Sequence, residues 1–204
     1  AYVRVTCGHS RGGGILVSSG GELRCTRCTL RMNTANSGGG LLLEGLAEFS
    51  NSYFELNHAL GGDGGAITTL TDGELRLSSA VFEGNTASES GTASAVYYQS
   101  ISPSSLLWNC TFRNHSSALA LILAVQPLNW ECRLGQWSTR TGRIDAAEFT
   151  GCAFKCPLGT LGLSTNLTSS SDCTVCPAGH YCDSEGWSEP EKCPIGTYTV
   201  SYTH

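Results

Sequence analysis

The chain has 204 residues, a net charge of −5 and only 14% charged residues, with 25 Gly and 11 Cys. No cluster of Lys and Arg gives the electrostatic footprint of a nucleic-acid binder, and the longest apolar run, 118–125, is far short of the roughly 18 residues that span a bilayer. Eleven cysteines are more than reducing compartments usually carry without a metal, so the composition points to an oxidised, extracellular setting; the odd count leaves at least one thiol free or bonded outside this segment.

In chain order, Gly12, Gly38 and Gly64 each open a glycine cluster, 26 residues apart, and each cluster leads to an aliphatic residue: Ile15, Leu41 and Ile67. A second phrase, Leu/Phe-x-x-Asn, falls at Leu30–Asn33, Phe54–Asn57 and Phe82–Asn85, and Gly-Glu-Leu-Arg occurs at both 21–24 and 73–76. A fixed period of this size marks a repeat architecture. Each unit holds short apolar stretches broken by Gly, Ser and Asn, which makes poor helix. The alternation of Leu75 and Leu77 instead puts both on one face of a strand. Three short strands and three turns fit one unit, and stacked units place each strand about 4.8 Å from its copy. The expectation is an all-β parallel β-helix of about 26 residues per rung, with Ile, Leu, Val and Phe stacked inside. Glycine serves its corners by allowing φ > 0 or close backbone approach. Asn33, Asn57 and Asn85 suit a left-handed turn residue or a ladder of stacked amides.

Further along, Phe112–His115 is an imperfect copy of the second phrase, 92–108 reads as another rung, and 118–125 reads as its successor's buried strand. A last rung is expected through Trp130–Cys132, Trp137 and Ile144 to Phe149, giving five to six rungs over residues 1–151. Cys28 and Cys110 both stand two residues before the Leu/Phe of their phrase, three rungs apart. That is about 14 Å, beyond the roughly 7 Å a disulfide tolerates. Adjacent-rung geometry favours Cys110–Cys132, and Cys7 with Cys25 or Cys28. From Cys152 to His204 the vocabulary changes. Cys-Pro-x-Gly occurs at 156–159, 176–179 and 193–196, in a stretch with too few aliphatics for a core, so disulfides among Cys152, Cys156, Cys173, Cys176, Cys182 and Cys193 must substitute for one. The two CxxC pairs, Cys25/Cys28 and Cys173/Cys176, lie 145 residues apart and do not read as one zinc site. The strand-like opening at Tyr2–Val5 and the cysteine phrase near the end read as parts of a longer polypeptide.

The Gly-Gly-Ala/Gly-Ile/Leu phrase at 12–15, 38–41 and 64–67, alternating with Phe-x-x-Asn at 54–57 and 82–85, resembles the repeats of the chlamydial polymorphic outer-membrane proteins and of large surface proteins of unicellular eukaryotes. The resemblance implies a right-handed, surface-exposed β-helix used for adhesion or structure. Residues 152–200 resemble the ephrin-receptor-like cysteine-rich modules, which implies an extracellular spacer or interaction module. A tumour-necrosis-factor-receptor-like pattern would then pair Cys173–Cys182 and Cys176–Cys193, leaving Cys152 and Cys156 to each other or to the solenoid. The rival pairs Cys156–Cys173 and Cys176–Cys193.

The five Asp (63, 72, 145, 172 and 183) do not recur beside another acid at rung spacing, Glu22 and Glu74 correspond only two rungs apart, and His58 and His115 have no nucleophile phrase nearby. No catalytic, cofactor or metal site is expected. Asn109, Asn114 and Asn166 head N-glycosylation sequons, with Asn109 facing outward if Cys110 and Phe112 face in. The function read from this is a non-enzymatic extracellular structural protein in a filament, coat or flagellar-hair-like assembly, whose partners are its own kind or neighbouring modules, carrying N-glycans, with no nucleic acid and no membrane span. An adhesin or receptor ectodomain is the alternative, with Tyr97, Tyr98, Trp108, Trp130 and Trp137 as a candidate aromatic row. A polysaccharide lyase or hydrolase stands third.

Overall fold

Short apolar stretches separated by glycine and asparagine corners fold here as stacked two- to six-residue strands. The structure is a computed structural model that describes residues 13–61, 63–88, 93–115, 120–144 and 149–196. It divides into two compact units, Ala1–Trp130 with Arg140–Gly151, and Glu131–Thr139 with Cys152–His204.

The first unit is a parallel β-solenoid. Its first rung is β1 (Ile15–Val17), β2 (Glu22–Thr26), β3 (Thr29–Arg31) and β4 (Thr34–Ala35). The second is β5 (Leu41–Leu43), β6 (Leu46–Ser50), β7 (Tyr53–Glu55) and β8 (His58–Ala59). The third is β9 (Ile67–Thr69), β10 (Glu74–Ser78), β11 (Val81–Glu83) and β12 (Thr86–Ala87). The fourth is β13 (Ala93–Tyr98), β14 (Leu106–Trp108) and β15 (Thr111–Arg113), and a partial fifth is β16 (Ala120–Ala124) and β17 (Asn129–Glu131). Equivalent strands stack into four sheets, β1-β5-β9-β13-β16, β2-β6-β10-β14-β17, β3-β7-β11-β15 and β4-β8-β12. The solenoid thus has about four turns, fewer than the five to six expected.

The glycine-led phrase stays in register, Ile15↔Leu41↔Ile67, as expected. The other phrase does not keep a 26-residue period. Asn33 bonds Asn57 across 24 residues, Asn57 bonds Asn85 across 28, and Phe82 pairs with Phe112 across 30. The strands are constant and the connections change length. The expected last rung is also corrected. After β18 (Gln136–Trp137), β19 (Gly142–Ile144) pairs antiparallel with β16, and β20 (Phe149–Thr150) pairs antiparallel with β15. The chain reverses and closes two of the sheets, so it does not add a parallel turn.

The interior is a set of columns. Leu30, Phe54, Phe82 and Phe112 share one register position and are all buried. The Phe54 and Phe82 rings lie 4.8 Å apart, and Phe82 and Phe112 4.6 Å apart, nearly parallel. That is the inter-strand spacing repeated in side chains. Beside this column runs an amide ladder. Asn33 Nδ2 donates to Asn57 Oδ1, and Asn57 Nδ2 to Asn85 Oδ1, both at 2.9 Å. Asn57 Nδ2 also donates to the Leu30 carbonyl, and Asn85 Nδ2 to the Phe54 carbonyl. Buried polar groups are tolerable only when satisfied in this way.

The second unit has almost no hydrophobic core. β18 pairs antiparallel with β21 (Phe154–Lys155), β22 (Thr160–Leu161) with β23 (Thr174–Val175), and β24 (His180–Tyr181) with β25 (Glu191–Lys192). A single 3-10 turn, Ser170–Asp172, is closed by a capping box between Ser169 and Asp172. Trp137 stacks on Phe154 at 4.4 Å and donates its indole N–H to the Lys155 carbonyl. Cys132–Cys152, Cys156–Cys173 and Cys176–Cys182 form disulfides with Cα separations of 5.3, 5.8 and 6.1 Å.

Candidate functional site

The site-bearing surfaces are the strand exteriors and the corners between them. On the β2-β6-β10 exterior, Arg24, Glu48 and Arg76 stack in register, and on the β3-β7-β11-β15 exterior so do Arg31, Glu55, Glu83 and Arg113. Arg24 lies 3.5 Å from Glu48, Arg31 3.4 Å from Glu55, and Arg113 2.8 Å from Glu83. The Arg113 and Asn114 hydrogen bonds hold the Glu83 carboxyl below its usual range. Glu22 and Glu74 flank Leu46 on opposite sides and are each held by an arginine of their own strand, Arg24 and Arg76. Among the described residues no group of three His, Cys, Asp or Glu comes together.

The corners differ from the sequence reading. Asn33, Asn57 and Asn85 form the ladder, but the left-handed residue is the one before each of them: Met32 (φ 54°), Leu56 (φ 51°) and Gly84 (φ 60°). In the fourth rung Asn114 (φ 55°) takes the left-handed place and His115 the ladder place. A second left-handed column, Arg27, Asn51, Ser79 and Asn109, lies between the second and third sheets, at φ 49–58°. Two of the four are Asn, which tolerates this backbone, but Arg27 and Ser79 carry no such signal.

All three sequon asparagines adopt φ > 0: Asn109, Asn114 and Asn166, the last at 61°. Asn114 is exposed, with its amide on Glu83, while Asn109 is half-buried and donates to Ser79 Oγ at 3.2 Å. Outward orientation of Asn109 is therefore only partial. Asn109 and Asn114 sit at the two corners flanking β15. Asn166, in the second unit, is exposed and accepts the Cys132 N–H at 2.8 Å.

The cysteine assignments need correction. Cys25 and Cys28 bond each other, with Cα atoms 6.0 Å apart. Along an extended strand, residues three apart would be about 10 Å apart, but left-handed Arg27 folds the corner and closes the gap. Cys132 bonds Cys152, so Cys110–Cys132 does not form, and Cys110 is buried without a disulfide. Cys7 lies outside the described residues. In the tail, Cys156–Cys173 is the rival pairing, Cys176–Cys182 belongs to neither scheme, and Cys193 has no partner among the described residues.

The aromatic row does not exist. Tyr98 and Trp130 are buried, Trp108 is exposed, and Tyr97 and Trp137 are half-buried, Trp137 belonging to the second unit. An open groove of about 240 Å³ on the solenoid is lined by Ser100, Ile101, Pro103, Gln126, Asn129 and Arg140 among others. Asn129 Oδ1 accepts from Arg140, and Asn129 Nδ2 is fixed on the Pro103 and Ser105 carbonyls. That chain of bonds orients one guanidinium at the groove.

No family model, curated protein or solved structure matches the chain.

Charge is paired along the rods of the sheets, apolar columns are inside, and the second unit is held by sulfur. No helix among the described residues is long and apolar enough to cross a membrane.

Proposed function

We propose that this chain is a segment of an extracellular, non-enzymatic structural protein that builds a filament, coat or flagellar-hair-like assembly. The observation that carries the reading is the regular stack of rungs: Leu30, Phe54, Phe82 and Phe112 share one register position, and Asn33, Asn57 and Asn85 are bonded in a ladder beside them, an architecture of repeated contacts between neighbouring rungs. The four disulfides fit an oxidising exterior. The resemblances to polymorphic outer-membrane repeats and ephrin-receptor-like modules point the same way. N-glycans on Asn109, Asn114 and Asn166 belong to this reading; glycosidase-induced mass shifts at each site test them. Electron microscopy of native, unreduced material tests the assembly. Filaments or sheets with an axial repeat support it, and discrete monomers overturn it.

A binding module is the second reading, favoured by one observation: the Arg140 guanidinium oriented by Asn129 in the groove. It suits an anionic saccharide, and a glycan array probed with wild type and Arg140→Ala discriminates it.

A further inference from the structure

The guanidinium at the groove has no acid to neutralise it. Arg24, Arg31, Arg76 and Arg113 are each ion-paired with a glutamate of their own or a neighbouring strand. Arg140 is exposed, and the hydrogen-bond partner of its side chain among the described residues is Asn129 Oδ1, a neutral amide oxygen. Asn129 is itself fixed, its Nδ2 donating to the Pro103 carbonyl at 2.7 Å and to the Ser105 carbonyl at 3.1 Å. A guanidinium held by one amide keeps its charge and most of its five N–H donors for a ligand.

The walls around it are tied down. The Ile101 N–H donates to the Thr71 carbonyl one rung earlier at 3.0 Å, the Ser102 N–H to Ser100 Oγ at 3.0 Å, and the buried Tyr98 hydroxyl to the Ser102 carbonyl at 3.2 Å. That loop holds the Ile101 side chain 63% exposed on the groove that Arg140 lines. The Arg140 backbone is anchored as well, its carbonyl accepting the Leu128 N–H at 2.8 Å. A preorganised apolar surface next to an oriented, unneutralised cation loses little entropy when a ligand fills it. The groove, about 240 Å³, is smaller than the roughly 300–1,000 Å³ of sites that enclose a drug-sized molecule, so it takes one unit of a chain and leaves the rest in solvent.

We infer that the groove binds one uronic-acid unit of an acidic polysaccharide, its carboxylate on Arg140. This inference rests on the binding-module reading above and names its ligand. A planar carboxylate matches the guanidinium fork, and a single cation neutralises a single carboxylate. Polysulfated chains call for runs of Lys and Arg, and Arg140 is the one cation lining the groove. The C–H face of the sugar ring packs on Ile101 and Pro103, and Ser102 and Gln126 offer hydroxyl and amide groups to its hydroxyls. No aromatic side chain lines the groove, unlike those that hold proline-rich peptides, and one arginine is not the cluster that phosphopeptide sites use.

The test is calorimetric titration of the whole chain with four probes: a trisaccharide of galacturonic acid, its methyl ester, a heparin-derived oligosaccharide and a Glu-rich peptide. The expected result is binding of the trisaccharide, and of its uncharged ester about tenfold more weakly or not at all. Arg140→Ala should lose about the same factor, and so should Gln126→Glu, which sets an acid in the groove; unchanged circular dichroism shows that both variants fold. Tighter binding of the heparin probe, or equal binding of the ester, would overturn the uronate assignment and leave the binding-module reading in place. Binding of the peptide alone would overturn the saccharide. Silence from all four probes, or full affinity in Arg140→Ala, would overturn both the assignment and the reading it rests on.

Discussion

His115 stands where a fourth asparagine would continue the amide ladder, its Nδ1 3.2 Å from the Asn85 carbonyl and its Nε2 3.2 Å from the Phe82 carbonyl. The second of these contacts is the one Asn85 makes to the Phe54 carbonyl one rung earlier. The ring also meets Phe112, with centroids 6.4 Å apart, and the charge nearest it is Glu83, itself ion-paired with Arg113.

A pH dependence follows. Burial lowers the His115 pKa, outweighing the two carbonyls and Glu83, which raise it. The unfolded chain therefore binds its proton first as pH falls. The stabilisation is fully present above the unfolded value of about 6.5 and is lost as pH drops through the lowered folded value. Urea midpoints measured between pH 7.5 and 4.5 should fall across that window. His115→Asn, which puts an amide in the ladder and cannot titrate, should remove the part of the slope that belongs to this residue. An unchanged slope would assign it elsewhere.

Asn57 is the middle of the ladder and the most connected of its members. Its side chain donates to the Leu30 carbonyl and to Asn85 Oδ1, and accepts from the Asn33 amide and side chain. Asn57→Ala leaves a buried carbonyl and a buried N–H without partners, a cost on the order of 3 kcal/mol in equilibrium unfolding. Asn57→Asp keeps the shape but turns an acceptor toward the Leu30 carbonyl and Asn85 Oδ1. It should be destabilised at neutral pH and regain stability as the carboxyl protonates. Equal losses at pH 4 and pH 7 would argue against the donor role of Nδ2.

The ladder was legible in the sequence because its chemistry needs one residue type, and so was the column of Phe54 and Phe82. Corners were not legible in the same way. Arg27, Asn51, Ser79 and Asn109 all adopt left-handed backbone at equivalent places; the two Asn fit it, but Arg27 and Ser79 do not announce it. That same corner brings Cys25 to Cys28, which strand spacing alone forbids. The closing strands were hidden for another reason. Gly142–Ile144 and Phe149–Thr150 carry strand-like residues, and an apolar strand looks the same in sequence whether it stacks parallel or reverses.

Glycines separate into two kinds with opposite predictions. A Cβ at Gly65 would sit 2.2 Å from the Ser94 carbonyl oxygen and 2.4 Å from that of Thr86, backbone atoms that cannot yield without parting the rungs. A Cβ at Gly61 meets nothing within 4 Å, and its backbone is not left-handed. Gly65→Ala should therefore lower the thermal midpoint sharply or abolish folding. Gly61→Ala should hold or raise it, with a stability gain of up to about 1 kcal/mol through the unfolded state. If the two variants behave alike, close rung approach is not what Gly65 provides.

Cys110 tests the column logic from inside. Its slot, two residues before the Phe column, holds Cys28, Ser52 and Ala80 in the earlier rungs. Small residues already fill that position, so Cys110→Ala and Cys110→Ser should both fold, each losing no more than about 2 kcal/mol. With its thiol pushed up to about 12, only about one molecule in ten thousand carries a Cys110 thiolate at pH 8. Labelling by an aromatic disulfide reagent should therefore wait for the rung to open and should accelerate with urea in step with unfolding. Cys193, partly exposed, should label at once in any monomer. Prompt modification of Cys110 in the folded chain would mean that the fourth rung opens locally at this corner. The packing of Phe112 on Phe82 would then be less protective than its 4.6 Å stacking indicates.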